Sequence, residues 1–186
     1  MTVSELRDRL AHSPVIAAVP ETRWSAAIDS PAEVLFHLKA NLLTVARDIE
    51  VAHAAGKAVL VHIDLAEGIG KDKTGLEYLA ACGVDGIIST RGQLIRQAKE
   101  QRLLTVQRFF LLDSQGVSGI AEQLQTTAPD LLEIMPGVIG KAICQFSGGT
   151  VPVIAGGLIE TKAEVTAALA SGATAVSTGK KELWYI

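Results

Sequence analysis

Short runs of consecutive apolar residues recur along the chain, and between them apolar residues fall at helical spacing. The runs lie at residues 14–19, 34–38, 58–64, 86–90, 103–109 and 131–135, then in Pro152-Val-Ile-Ala-Gly-Gly-Leu-Ile159 and Ala175-Val-Ser-Thr-Gly179. Each has the length of a strand, and the nearly unbroken apolar character suits strands buried on both faces. The intervening segments predict helices at 23–28, from Asn41 with a stripe of Leu42, Val45, Ala46, Ile49 and Ala52, and at 73–82, 93–101, 118–125 and 138–146. Ser118 is a possible N-cap, and Thr161-Lys-Ala-Glu164 spells a capping box that opens a further helix. Residues 4–10 predict an amphipathic helix ahead of the first strand.

Three helix-to-strand joints are alike: Ala55-Gly56, Cys82-Gly83 and Ser171-Gly172. Glycine just past a helix end closes it and turns the chain into the next strand. Strands alternating with helices at roughly twenty-residue spacing predict serial βα units and a parallel sheet. The expected fold is α/β: a compact TIM-type (βα)8 barrel, one domain over residues 1–186, smaller than the usual ~250 residues. The alternative is an open doubly wound sheet, but no dinucleotide-binding fingerprint accompanies the strands. Few residues follow the eighth strand, so the last helix is expected to be short or missing. The lead-in helix within residues 1–13 is expected to cover part of the strand left bare by that loss.

Composition changes this picture little. Hydrophobic residues make up 48%, charged residues 20% and aromatics 4%, which fits small, closely packed βα units. The net charge of -3 argues against a strongly electrostatic nucleic-acid binder, so any RNA contact must be a local patch. Cys82 and Cys144 are too few for a disulfide framework or zinc site and read as free thiols, consistent with the cytoplasm. No apolar run approaches membrane-spanning length, and residues 1–11 lack a secretion-signal pattern.

Active sites of such barrels lie at the carboxyl ends of the strands. There the seventh and eighth strands end in Gly156-Gly157 and in Thr178-Gly179 with Lys180 next. Glycine turns let several N–H groups approach one phosphate, although the same glycines also serve as plain βα turns. The other strand ends bring His62, Asp64, Glu67 and Lys71 (third), Ser89, Thr90 and Arg91 (fourth), Gln107 and Arg108 (fifth) and Glu133 (sixth). Asp64, Glu67 and Glu133 can accept hydrogen bonds from hydroxyls; Lys71, Arg91, Arg108 and Lys180 can neutralise a phosphate. Together they describe a pocket for a small polyol phosphate.

Each residue also has a structural role open to it. His62 can be an interior histidine held by Asp64, Arg108 can pair with Glu133 inside the barrel mouth, and Lys71 can be a solvated loop lysine. No ligand spacing supports a metal site, although His62, Asp64 and Glu133 have the right chemistry for one. No cofactor is expected. Gly68-Ile-Gly-Lys71 is no P-loop, because Leu65 and Asp72 occupy the positions of the first glycine and the hydroxyl residue.

These strings carry a family resemblance. Val61-His-Ile-Asp-Leu65 with Gly68-Ile-Gly-Lys-Asp72, Asp85-Gly-Ile-Ile-Ser-Thr-Arg91, Gln107-Arg108 with Leu111-Leu-Asp-Ser114, Glu133-Ile-Met-Pro-Gly137, Ile154-Ala-Gly-Gly-Leu-Ile159 and Lys181-Glu-Leu-Trp184 resemble the glycerol-3-phosphate-responsive antiterminators, regulators of glycerol uptake operons. The resemblance spans residues 14–184. It implies a TIM-barrel regulator that binds glycerol 3-phosphate and acts on an mRNA leader to prevent transcription termination. It places the ligand on Asp64, Glu67, Lys71, Arg91, Arg108, Glu133, Gly156, Gly157 and Thr178. One string departs: the family usually reads Ser-Thr-Ser-Asn before Lys-Glu-Leu-Trp, whereas this chain reads Ser177-Thr-Gly-Lys180. The change adds a positive charge beside the phosphate position.

Two functions of different class follow. In a ligand-gated regulator, Arg96, Lys99 and Arg102, at three-residue steps on the fourth helix, are a candidate RNA contact, though the same stripe also fits a solvated helix face. In an enzyme acting on a triose- or polyol-phosphate, Asp64 or Glu133 would be the base and Lys71 or His62 the acid or electrophile. A homo-oligomer is compatible with either.

Overall fold

The computed structural model describes residues 1–111 and 114–186. Leu112 and Asp113, part of one string behind the family resemblance, lie outside the described residues, as does the side chain of Ser118. Eight parallel strands close into a barrel in sequence order. They are β1 (Val15–Pro20), β2 (Val34–Lys39), β3 (Ala58–His62), β4 (Gly86–Ser89), β5 (Leu104–Phe110), β6 (Leu131–Met135), β7 (Val153–Gly156) and β8 (Ala175–Thr178). Closure comes from β1 pairing with β8, Ala17 opposite Thr178. The helices are α1 (Val3–His12), α2 (Trp24–Ile28), α3 (Val45–Ala54), α4 (Lys73–Ala81), α5 (Gly92–Glu100), α6 (Ser114–Thr127), α7 (Gly140–Ser147) and α8 (Lys162–Ala170).

The two-residue strand period splits the apolar residues into two cores. Ile16, Phe36, Leu60, Ile88, Val106 and Ile154 fill the barrel. Val59, Val61, Ile87 and Val176 point outward, into a layer shared with Ile49, Leu76, Leu79 and Ile95 of the helices.

The lead-in helix does not cover the outside of the barrel. Leu6 and Leu10 of α1, each 1% exposed, belong to the interior core. Arg9 Nη1 donates to the Gly56 carbonyl at 2.7 Å, which fixes α1 at the N-terminal end of the strands. Spacing of four puts both leucines on one helical face, and that face plugs the barrel floor. A capping box starts the helix, with Glu5 N donating to Thr2 Oγ1 at 3.2 Å and Thr2 N to Glu5 Oε2 at 2.7 Å. Past β8 a single 3-10 turn, Lys181–Tyr185, packs on β1 and α2 beside the closure, with Leu183 and Trp184 buried. Trp184 Nε1 donates to the Thr178 carbonyl at 2.9 Å. The last helix is reduced to this one turn, as the sequence leads one to expect.

Three boundaries differ from the sequence expectation. β3 stops at His62 and breaks into a 3-10 turn, Ile63–Leu65. α3 does not start at Asn41, whose side chain accepts from Leu43 N at 2.9 Å; the helix begins only at Val45, leaving Leu42 outside. α6 starts at Ser114, so Ser118 lies inside the helix and not at its cap.

Candidate functional site

A cavity of about 380 Å³ opens at the carboxyl ends of the strands, with Arg108, Glu133 and Ser177 among its lining residues. Alternation dictates this floor. Val106 and Arg108, Leu131 and Glu133, and Ala175 and Ser177 are successive inward positions, apolar below and polar at the mouth. Glu133 is fully buried and Arg108 is 7% exposed. Arg108 Nε donates to Glu133 Oε2 at 2.6 Å, and Ser177 Oγ donates to Glu133 Oε1 at 2.6 Å. A carboxylate without water needs partners on both oxygens, and it has them.

The β7 and β8 turns form one wall. Gly156 faces the carboxylate: a Cβ there would fall on Glu133 and 2.7 Å from Ser177 Oγ. Gly157 turns with φ +74 and Leu158 with φ +59, backbone that favours glycine at the first of the two. The Gly137 amide donates to the Gly157 carbonyl at 3.1 Å and ties this turn to the β6 loop. Thr178 points outward; its hydroxyl donates to the Ile159 carbonyl at 2.8 Å and accepts from Lys180 N at 3.1 Å. It therefore shapes the turn. Lys180 Nζ lies 3.6 Å from Glu160 Oε1 at the rim. Arg23, just before α2, reaches across the closure to the Gly179 carbonyl, Nη1 to O 2.8 Å. Three cations, Arg23, Arg108 and Lys180, and two carboxylates, Glu133 and Glu160, line the cavity.

The structure thus brings together Arg108, Glu133, Gly157, Thr178, Gly179 and Lys180, with Gly156 behind the carboxylate. Asp64, Glu67, Lys71 and Arg91 are not among the lining residues. Because β3 breaks at Ile63, Asp64 turns to β4, accepting from Thr90 N at 2.7 Å and from Ser89 Oγ and Thr90 Oγ1 at 3.0 Å. Arg91 Nε stands 3.6 Å from it and is largely exposed. Lys71 is no solvated loop lysine: Nζ donates to the Ala66 carbonyl and, at 2.9 Å, to that of Ile69, clamping its own loop. Glu67 is exposed and bridges to Asn41. Asp64 does not hold His62, whose two ring nitrogens have no hydrogen-bond partner among the described residues. Burial first and the Arg108 guanidinium second push the His62 pKa down to about 4, so the ring is neutral at pH 7. No cluster of three or more potential metal ligands occurs among the described residues.

Sequence reasoning missed Arg23, whose place at the cavity depends on β1 closing against β8. Of the basic stripe, Arg96 and Lys99 lie on α5, and Lys99 Nζ donates to the Ala128 carbonyl. Arg102 lies beyond the helix end with φ +57, off the helical face. A larger, shallow groove of about 1050 Å³ lies at the opposite end, beside α1. Its Arg9 and His12 face Glu33, and His53 meets Asp85 at 2.8 Å, so these charges answer one another. Among the described residues, no helix is long and apolar enough to cross a membrane.

Comparison with known proteins gives a consistent result. The family model described as glycerol-3-phosphate responsive antiterminator matches residues 15–184. The Escherichia coli K12 protein YgcP, itself uncharacterised, is 31% identical over 178 residues, 94% of this chain and 93% of that one. The crystal structure of the glycerol uptake operon antiterminator regulatory protein of Listeria monocytogenes is 35% identical, with TM-score 0.86 over 91% of this chain and 94% of that one. A glycerol uptake operon antiterminator-related protein of Thermotoga maritima is 30% identical, with TM-score 0.83 over 92% and 98%. A deoxyribose phosphate aldolase of Aeropyrum pernix, 13% identical over 97% and 93% with TM-score 0.69, shares the barrel fold.

Proposed function

The chain belongs to the glycerol-3-phosphate responsive antiterminator family, and we propose that it is a cytoplasmic regulator that binds glycerol 3-phosphate and acts on an mRNA leader to prevent transcription termination of glycerol-utilisation genes. The observation that carries the ligand is the mouth cavity, where glycine turns and Lys180 stand above a buried Arg108–Glu133–Ser177 set. The phosphate lies against the Gly156-Gly157 and Gly179-Lys180 turns, whose rim carries the cations Arg23 and Lys180. The hydroxyls lie deeper, toward Arg108 and Glu133. Asp64, Glu67, Lys71 and Arg91 take part by shaping the neighbouring loops. RNA meets a local patch, for which Arg96 and Lys99 on α5 are the candidate, and a homo-oligomer would present that patch more than once.

Thermal unfolding with glycerol 3-phosphate, glycerol or inorganic phosphate tests the ligand. A ligand at about 100 times its Kd stabilises by about 2.7 kcal/mol, a rise of roughly 5–10 °C for a domain of this size. The expected outcome is that rise with glycerol 3-phosphate alone. No rise with any of the three at millimolar concentration would remove the ligand assignment. Turnover of glycerol 3-phosphate or dihydroxyacetone phosphate, lost in Asp64→Asn, would instead make the protein an enzyme.

A further inference from the structure

The charged groups that line the mouth cavity do not all stand in the same state. On the floor, Glu133 is matched by Arg108 and Ser177, so the two floor charges cancel. The rim is left with Arg23, Lys180 and Glu160. Arg23 donates to the Gly179 carbonyl, a neutral partner that fixes the guanidinium and leaves its charge in place. Lys180 is held differently. Its Nζ lies 3.6 Å from Glu160 Oε1, so the second rim cation already faces an anion of the same cavity wall.

The backbones of both residues are fixed. The Glu160 amide donates to Glu164 Oε2 at 2.8 Å, and the Thr161 amide donates to the same oxygen at 2.9 Å as part of the capping box of α8. The Lys180 amide donates to Thr178 Oγ1 at 3.1 Å, and that hydroxyl donates to the Ile159 carbonyl at 2.8 Å. The β8 turn is thus stitched to the residue just before Glu160, and the two side chains meet across that seam. The side chains themselves are loosely held: Glu160 is 61% exposed and Lys180 47%. An ion pair that exposed is weak and opens readily when a better partner arrives.

Resting on the assignment of a glycerol 3-phosphate to the β7–β8 turns, we propose that Glu160 sets the affinity of the anion site, because its carboxylate competes with the ligand phosphate for the ammonium of Lys180. A phosphate monoester carries roughly −1.5 to −2 charge at pH 7. With Glu160 ionised, the rim offers one net positive charge to it; without that carboxylate the rim would offer two, which matches the ligand. Glu160 therefore opposes binding twice, by occupying Lys180 and by standing beside the incoming anion. The positive charge that Lys180 adds to this chain is answered by the chain's own carboxylate, and the site responds only at a correspondingly higher ligand concentration.

The test is calorimetric titration of the full chain with glycerol 3-phosphate. Glu160→Gln removes the charge and keeps the size, and it should tighten binding roughly three- to fivefold, the scale of a rim ion pair. A residue with a merely structural role would weaken binding when replaced. The gain should shrink at high salt, where exposed charges are screened. In a Lys180→Gln background the same substitution should gain less, because no ammonium is released. Glu77→Gln is the control: it removes one carboxylate from the similarly exposed Lys73–Glu77 pair of α4, away from the cavity, and should leave affinity unchanged. If wild type binds and Glu160→Gln binds no more tightly, the proposal is overturned and the ligand assignment stands. An equal gain in Glu77→Gln overturns it as well, since net charge alone would then account for the effect, and so does an undiminished gain in the Lys180→Gln background. If neither wild type nor Glu160→Gln binds glycerol 3-phosphate, the ligand assignment and the proposal fall together.

Discussion

Glu133 organises the mouth of the barrel at the residue scale: one fully buried carboxylate with Arg108 on one oxygen and Ser177 on the other. Removing one partner of a buried pair strands the other charge and typically costs about 3–5 kcal/mol. Arg108→Met should therefore lose stability on that scale in urea unfolding, and Arg108→Met with Glu133→Leu should recover much of it. A single mutant within ~0.5 kcal/mol of wild type would mean that the pair is solvated. His62 makes a pH prediction. Its ordinary value of 6.5 is pushed down to about 4 in the folded chain. Between those values the unfolded chain binds a proton that the folded chain does not, so stability rises with pH across pH 4–6.5 and is lost on acidification. The difference corresponds to on the order of 3 kcal/mol. His37, also pushed down by burial, acts in the same direction, so the His62 share is read as the flattening of the urea-unfolding pH profile in His62→Gln. An unchanged slope would place His62 in contact with solvent. Arg108 and Glu133 were legible in the sequence because strand alternation says which residues face inward. Asp64 was not, since alternation ends where the strand does, and β3 ends two residues before it.

At the scale of elements, alternating strands and helices were legible because each apolar run has strand length and each intervening stripe has helical spacing. The destination of α1 was not. Leu6 and Leu10 announce a buried face, but nothing local distinguishes the floor of the barrel from its outer wall. Likewise Trp184 is an ordinary tryptophan in the sequence, and its place beside β1, bonded to the Thr178 carbonyl at the end of β8, follows only from closure. The two elements should behave differently on truncation. Leu10→Ala should cost about 2–5 kcal/mol of stability with ligand affinity unchanged, because it lies at the opposite end from the cavity. Trp184→Ala should cost about 3–5 kcal/mol and also weaken glycerol 3-phosphate, because its indole holds the carbonyl at the start of the Gly179-Lys180 turn. Calorimetric titration of both variants checks the contrast, and equal loss of affinity in the two would remove the link between Trp184 and the site.

On the scale of the whole molecule, closure of the barrel is what brings Arg23 of the first βα unit to Gly179 of the last, a contact invisible in any local pattern. The net charge of -3 confines any RNA contact to a patch, and α5 offers Arg96 together with a Lys99 already bonded to a carbonyl. A ligand site at the barrel mouth that governs RNA binding on the outer surface requires a coupling of measurable size. Allosteric coupling of about 1–3 kcal/mol changes affinity roughly 5–150-fold. The most direct measurement is the affinity of the full chain for the leader of the glycerol-utilisation transcript, at fixed salt, with and without saturating glycerol 3-phosphate. The account predicts that the ligand changes RNA affinity within that range and that glycerol and inorganic phosphate do not. Equal affinity in all conditions, or no binding of the leader above that of an unrelated RNA, would contradict it.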